Sequence, residues 1–190
     1  MKDLVDVAAE LQTFCEKRGW EFCFIGGLAV QALAEPRLTR DTDMTLLTGF
    51  GSEEPFIDAL LGRYQARRED AKEFALMNRV LLLKADNGSG IDIALGALPF
   101  EESVVRRSRP VTFVEGVMLR ICTAEDLIVM KAFAGREQDW LDVRMTIVRQ
   151  GVEGLDWDYI LRHLTPLADV KEEPEIIHRL DELRQRYSRE

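Results

Sequence analysis

The sequence contains little cysteine and histidine. Among its 190 residues are three cysteines and two histidines. Cys15, Cys23 and Cys122 lie far apart and lack the spacing of a zinc site. We interpret them as buried, reduced thiols, which are typical of a cytoplasmic protein. No serine or cysteine has a histidine in a suitable context, which argues against nucleophilic triad chemistry.

Long apolar runs and an excess of positive charge are also missing. The run FCFIGGLAV is too short to span a membrane, and the acidic, amphipathic start MKDLVDVAAE is unlike a signal peptide. We therefore expect no membrane partner. The 25 basic residues are outnumbered by 34 acidic ones, for a net charge of −9, which argues against a broad nucleic-acid-binding surface. Arginines at 63–68 or 106–109 are compatible with a local basic cleft.

Hydrophobic spacing predicts an α/β (α+β) fold in which helices flank a mixed sheet. The first helix precedes a short strand at 22–25, two glycines, and a helix that Pro36 stops. Residues 43–47 are predicted as a strand and 53–61 as a helix. Two antiparallel hairpins follow, one of segments 75–86 and 90–98, and one within 111–121 that turns at Glu115-Gly116.

From Thr123 onward the pattern is helical. The predicted helices cover 124–134, 137–150, 156–168 and 174–188. We expect residues 1–121 to form a catalytic domain and residues 122–190 a C-terminal helical lobe, which Trp140 and Trp157 help to pack.

Two aspartates begin a predicted buried strand. Alternate residues of a strand point the same way, so Asp41 and Asp43 would project from one face. Such close carboxylates repel each other and resist desolvation. A divalent metal removes that cost, and Mg²⁺ binds one or two carboxylates together with substrate phosphates. Asp41 and Asp43 are therefore candidate metal ligands, and the alternative is a turn followed by an exposed strand end.

A third aspartate lies within an apolar strand. In IDIAL, Asp92 points away from the isoleucines and needs a partner. If its strand neighbours that of Asp43, three carboxylates share one patch, which suits two-metal nucleotidyl transfer. Asp92 would then hold the second metal or take the proton of the attacking hydroxyl. The alternatives are an acid paired with an arginine and an edge-strand acid in solvent.

Gly26 and Gly27 follow the first strand and begin a helix. Backbone N–H groups at such a helix start attract phosphate, and glycine permits close approach. The pair lacks the third glycine of a dinucleotide-binding fingerprint and the Lys-Ser/Thr of a P-loop. Tight packing of strand on helix is the alternative interpretation.

The motif GG…RLTRDTD, followed by the isolated IDIAL aspartate, resembles the DNA polymerase β-like nucleotidyltransferase superfamily. The segment TAEDLIVMKAFAGREQDWLDV is similar to the AbiEii-like branch, which contains toxin–antitoxin and abortive-infection proteins. The resemblance covers roughly 22–143. Gln138 stands where a lysine is common in that branch.

This resemblance implies roles for individual residues. It implies Asp41 and Asp43 as metal ligands, Asp92 as the third carboxylate, Lys131 on the nucleotide phosphates and Asp139 as an active-site acid of the second lobe. Ordinary surface positions are the alternative for the last two. Arg37 and Arg40 either contact phosphates or pair with the acid cluster, and Arg136 is expected to be an ion-pair partner.

The implied reaction moves NMP from an NTP to a hydroxyl acceptor with Mg²⁺, or Mn²⁺, as cofactor. The expected acceptor is tRNA, with the chain as the toxin of a toxin–antitoxin pair and an antitoxin protein as its partner. A protein acceptor is also compatible. The alternatives are a small-molecule, antibiotic-type adenylyltransferase and a catalytically silent nucleotide-binding module.

Overall fold

The structure, a computed structural model, describes residues 3–35 and 37–188. Within these residues the chain forms seven strands, nine α-helices and one short 3₁₀ helix at Val152–Gly154. The strands are β1 (Phe22–Phe24), β2 (Asp41–Leu47), β3 (Gln65–Ala66), β4 (Val80–Lys84), β5 (Gly90–Gly96), β6 (Arg109–Val114) and β7 (Val117–Ile121). The helices are α1 (Leu4–Glu16), α2 (Gly26–Leu33), α3 (Glu54–Leu61), α4 (Ala71–Asn78), α5 (Pro99–Arg107), α6 (Ala124–Ala134), α7 (Glu137–Gln150), α8 (Trp157–Lys171) and α9 (Glu175–Tyr187).

The strands form one mixed sheet in the order β3-β4-β5-β2-β1-β7-β6. Strand β2 runs parallel to β5 and antiparallel to β1, and β1 runs parallel to β7. Both predicted hairpins are present, as the antiparallel pairs β4–β5 and β6–β7. The predicted mixed α/β fold is confirmed.

The chain divides into two compact units. Unit 1 comprises Met1–Leu28 and Leu38–Cys122, and unit 2 comprises Ala29–Arg37 and Thr123–Glu190. The sheet lies in unit 1 and helices α6–α9 lie in unit 2. The assignment of a catalytic domain to residues 1–121 and a helical lobe to 122–190 stays a prediction.

Local sequence signals explain how α1 and α6 begin. In α1, Asp3 and Asp6 form a capping box that satisfies free backbone N–H groups of the first turn. Thr123 and Asp126 do the same for α6. Gly135 then ends α6 in a left-handed conformation that costs glycine little.

One predicted strand was wrong over its first half. Residues 71–78 form helix α4, and β4 begins only at Val80. The segment AKEFALMN consists largely of strong helix formers, with Ala71 and Ala75 buried one turn apart. Arg79 ends the helix with a left-handed φ of 56°, and its N–H donates to the Ala75 carbonyl.

The prediction also missed helix α5. Pro99 lies in its first turn, where the missing N–H costs nothing. The Glu101 carboxylate accepts from the N–H groups of Ala97 and Leu98, at 2.8 Å each. Pro36, the predicted stop of α2, lies outside the described residues.

All three cysteines are buried. Trp140 and Trp157 are buried within unit 2. Among the described residues, no helix combines the length and the apolar character needed to cross a bilayer.

Candidate active site

The pairing of β2 with β5 places three carboxylates on one face of the sheet. Asp43 lies directly opposite Asp92, and Asp41 lies opposite Gly90. Residues two apart on a strand share a face, so Asp41 projects from the same side as this pair. The strands therefore bring together acids that are about fifty residues apart in the chain. Their roles as metal ligands stay predictions.

Glycines let these carboxylates lie against the backbone. Gly26 has a φ of +56°, and a Cβ at this position would lie only 2.6 Å from Asp43 Cγ. A Cβ at Gly90 would overlap Asp41 Oδ1. Any larger residue at either position would push a carboxylate aside.

The start of α2 faces one of the acids. The Gly27 N–H donates to Asp43 Oδ2 at 3.3 Å, and the partial positive charge at the helix N-terminus favours an anion there. A Cβ at Gly27 would lie 2.6 Å from Thr39 Cβ, so this glycine also permits close chain packing. Phosphate binding by Gly26 and Gly27 stays a prediction.

Arg67, one of the arginines compatible with a local basic cleft, pairs with the third acid. Its Nη2 donates to Asp92 Oδ1, and both side chains are about one-third exposed. The pairing matches the alternative of an acid neutralised by an arginine. Burial raises the pKa of Asp92, and the negative charge of Asp41 adds to that rise. The positive charge of Arg67 opposes it, but the pKa still lies above its usual value.

The donor set suits a hard divalent cation. Asp41 and Asp43 offer carboxylate oxygens from one face, and Mg²⁺ and Mn²⁺ prefer oxygen ligands. Asp41 is exposed and Asp43 is half-buried, so both are accessible to solvent. Over residues 3–35 and 37–188, no three His, Cys, Asp or Glu side chains are grouped closely enough to hold one ion together.

Unit 2 contains a second group of charges. Lys131 Nζ donates to Asp139 Oδ1 at 2.9 Å and lies 2.8 Å from Asp142 Oδ2. The two aspartate side chains are 2% exposed and the lysine side chain is 11% exposed. The alternative of ordinary surface positions for Lys131 and Asp139 is therefore wrong.

Two arginines complete this ion cluster. Arg37 binds Asp142 with two hydrogen bonds of 2.8 and 2.9 Å, and Arg136 Nε donates to Asp139 Oδ2 at 2.5 Å. Arg136 is thus the ion-pair partner that was expected. Asp142 was missed, because nothing in the local sequence separates it from a surface acid of an amphipathic helix.

Burial and pairing act in opposite directions on these aspartates. Burial works to raise the pKa of Asp139, but hydrogen bonds from Arg136 and Lys131 hold it below its usual value. Burial likewise works to raise the pKa of Asp142, and hydrogen bonds from Arg37 and Lys131 outweigh it. Both carboxylates are therefore ionised at neutral pH.

The predicted site residues divide between the two units. Unit 1 holds Gly26, Gly27, Arg40, Asp41, Asp43 and Asp92, and unit 2 holds Lys131 and Asp139. Arg40 is exposed immediately before β2, and its contact with nucleotide stays a prediction.

Comparison with solved structures identifies the fold. The antibiotic-resistance factor ANT(2'')-Ia in solution superimposes with a TM-score of 0.59 and 15% identity over 92% of this chain and 96% of that chain. A crystal structure of ANT(2'')-Ia in complex with adenylyl-2''-tobramycin gives 0.50 and 12% identity over 88% of this chain and 98% of that chain. An antigenic nucleotidyltransferase-like protein from Paracoccidioides brasiliensis gives 0.52 and 12% identity over 94% of this chain and 92% of that chain.

These similarities show that the chain has the polymerase β-like nucleotidyltransferase fold. No family model matches the sequence, and no curated protein matches it either. The resemblance to the AbiEii-like branch stays a prediction.

Proposed function

We propose that this protein is a metal-dependent nucleotidyltransferase that moves NMP from an NTP to a hydroxyl acceptor. The observation that carries the proposal is the in-register pairing of Asp43 with Asp92, with Asp41 on the same face. The polymerase β-like fold makes this reaction class the expected one, although fold alone does not define activity.

Asp41 and Asp43 are the residues that would hold Mg²⁺ or Mn²⁺. The ion would supply positive charge to the triphosphate and stabilise the charge that develops at the α-phosphate. Gly26 and Gly90 leave room for the carboxylates of Asp43 and Asp41 against the backbone, so both can point to the same metal site.

The remaining predicted residues would act on the phosphates. The backbone at Gly26 and Gly27 offers N–H groups at a helix start, the usual position for a phosphate. Lys131 would neutralise phosphate charge, as Arg40 would from its exposed position. In unit 2, Asp139 and Asp142 hold the ammonium group of Lys131 in one place, so that Asp139 orients the lysine and does not react itself.

The identity of the acceptor is the more specific part of the proposal. The expected acceptor is tRNA, with the chain as a toxin and an antitoxin protein as its partner. The net charge of −9 disfavours a large RNA footprint.

A cavity favours a second candidate, a small-molecule adenylyltransferase. It lies beside Asp41, measures about 470 Å³, and is lined by Arg67 and Lys84 among others. Its size lies in the range of small-ligand sites. ANT(2'')-Ia, which shares the fold, was crystallised with adenylyl-2''-tobramycin.

Labelled nucleotides test the proposal and separate the acceptors. Each of the four NTPs, labelled at the α-phosphate, is incubated with the protein, Mg²⁺ and a cell extract or an aminoglycoside panel. We expect label on RNA, on protein or on a small molecule, and loss of that label in Asp43→Asn but not in Asp58→Asn. Asp58 is an exposed acid of α3, so it is a matched control. NTP binding without pyrophosphate release would instead support the silent binding module.

A further inference from the structure

Backbone hydrogen bonds place Arg67 beside the third carboxylate. The Arg67 N–H donates to the Leu82 carbonyl at 3.1 Å, immediately after β3 pairs with β4 through Ala66 and Leu83. Leu82 in turn lies directly opposite Asp92 in the β4–β5 pair. Arg67 therefore reaches Asp92 from the neighbouring edge of the sheet.

The guanidinium group pairs with one acid and lies near a second. Nη2 of Arg67 donates to Asp92 Oδ1. A Cβ built on Gly90 would lie 3.1 Å from Arg67 Nη1 and would overlap Asp41 Oδ1, so Nη1 and Asp41 border the same small space. Asp92 is thus paired with a positive charge that borders the same space as Asp41.

Asp43 accepts a hydrogen bond from the start of α2. Its Oδ2 accepts from the Gly27 N–H, a neutral donor on the other side of the strand pair. A divalent ion bound to Asp41 and Asp43 would have the guanidinium group of Arg67 as a neighbour on the Asp92 side. A second divalent ion on Asp92 would have to displace that guanidinium group, because like charges at such distances repel.

We propose that Arg67 is a positioning residue that keeps Asp92 out of the metal-binding set and holds it for the acceptor hydroxyl. This inference rests on the proposed function. In the reaction, Asp92 takes the proton of the hydroxyl while the hydroxyl oxygen bonds to the α-phosphorus. The bond from the α-phosphorus to the bridging oxygen breaks, and pyrophosphate leaves with its electron pair.

The cavity next to Arg67 supports separate roles for Asp92 and for the metal ligands Asp41 and Asp43. Asp41, Arg67, Lys84 and Gly90 line the same space of about 470 Å³. In the sheet order, this space lies on the β3–β4 side of β2, whereas Gly26 and Gly27 follow β1 on the opposite side. Acceptor and triphosphate would thus approach the three acids from opposite sides.

Direct binding of Mn²⁺, followed by electron paramagnetic resonance without nucleotide or acceptor, tests the inference. As single substitutions, we expect Asp41→Asn or Asp43→Asn to weaken Mn²⁺ binding at least tenfold, and Asp92→Asn to change it less than twofold. In Arg67→Gln we expect an additional bound Mn²⁺ ion or at least fivefold tighter Mn²⁺ binding. The double variant with Arg67→Gln and Asp92→Asn should lose this gain. Arg67→Lys should bind Mn²⁺ about as the wild type does, because lysine retains the positive charge.

The neighbouring arginine provides the control. Arg68 pairs with Asp70 by hydrogen bonds of 2.8 and 2.9 Å, and Arg68→Gln should leave Mn²⁺ binding unchanged. Weakened binding in the single variant Asp92→Asn, with no gain in Arg67→Gln, would overturn the role of Arg67 but leave the proposed function intact. Mn²⁺ binding that depends on neither Asp41 nor Asp43 would overturn both. Circular dichroism of each variant verifies that it folds.

Discussion

Asp43 and Asp92 are direct partners on two parallel strands, with their carboxylates on the same face of the sheet. Parallel pairing requires a long connection between β2 and β5, and residues 48–89 provide it. This relationship turns separate acids in the sequence into one patch, on which the proposed chemistry depends.

Gly26→Ala should damage this patch more than an ordinary glycine substitution does. Alanine would have to adopt a φ of +56°, at a cost of about 1–2 kcal/mol, and its Cβ would lie 2.8 Å from Asp43 Cβ. We expect a loss of stability beyond that conformational cost and a loss of activity of at least tenfold. Urea unfolding and NTP consumption measure the two effects.

Gly116→Ala is the matched control for that variant. Gly116 also has a positive φ, of +79°, but a Cβ there would meet nothing within 4 Å. The stability of Gly116→Ala should fall only by the conformational cost of about 1–2 kcal/mol, and the variant should retain activity. Equal stability losses in the two variants would contradict the close approach of Gly26 to Asp43.

Asp142→Asn should destabilise the protein strongly. Removal of this charge leaves Arg37 and Lys131 without one of their buried carboxylate partners. Breaking such a pair from one side costs about 3–5 kcal/mol when it is fully buried. We expect the lower end of that range, because the Arg37 side chain is 34% exposed. Asp169 is an exposed acid on α8 and provides the control. Asp169→Asn should change the unfolding free energy by less than about 0.5 kcal/mol.

The same aspartates predict how stability depends on pH. The pKa values of Asp139 and Asp142 are lower in the folded protein than in the unfolded chain, so these groups stabilise the fold above the unfolded value of about 3.9. That contribution is lost as pH falls below about 4 through the lower folded values. Urea unfolding between pH 3 and 6 should show a shallower acid-side decline in Asp142→Asn than in the wild type, and an unchanged decline would contradict this assignment.

Arg79 should matter for folding and not for chemistry. Its guanidinium group donates to Glu53 and, at 3.1 Å, to the Gly49 carbonyl, while its backbone adopts a left-handed φ of 56°. Arg79→Ala should lose about 2–3 kcal/mol of stability through the lost charged hydrogen bonds. Arg79→Gly should be about 1 kcal/mol more stable than Arg79→Ala, because glycine tolerates that conformation. Thermal and urea unfolding measure the order of stability of the wild type, Arg79→Gly and Arg79→Ala.

Features with a local signature could be predicted from the sequence. The alternation around Asp92 and the doublet Asp41-Thr42-Asp43 indicate strands with acids on one face, and the turn at Asn87–Gly90 indicates a hairpin. The helical segments after Thr123 were correct for the same reason, since their apolar spacing and capping box are local.

Features that depend on tertiary contacts could not be predicted. Helix α4 is an exception, because its strong helix formers are a local signal that its weak amphipathic pattern obscured. The pairs Arg67–Asp92 and Arg37–Asp142 join residues that are far apart in the sequence. Nothing near Arg67 or Asp142 separates either residue from the many charged surface positions of the chain.

Release of pyrophosphate from NTP, in the presence of Mg²⁺ and the acceptor found by labelling, tests the central claim most directly. The rate should fall at least a thousandfold in Asp41→Asn, Asp43→Asn and Asp92→Asn, because each removes a charge from the patch that the paired strands create. Asp58→Asn should retain the wild-type rate. Wild-type rates in Asp43→Asn and Asp92→Asn would contradict the claim that this patch is the active site.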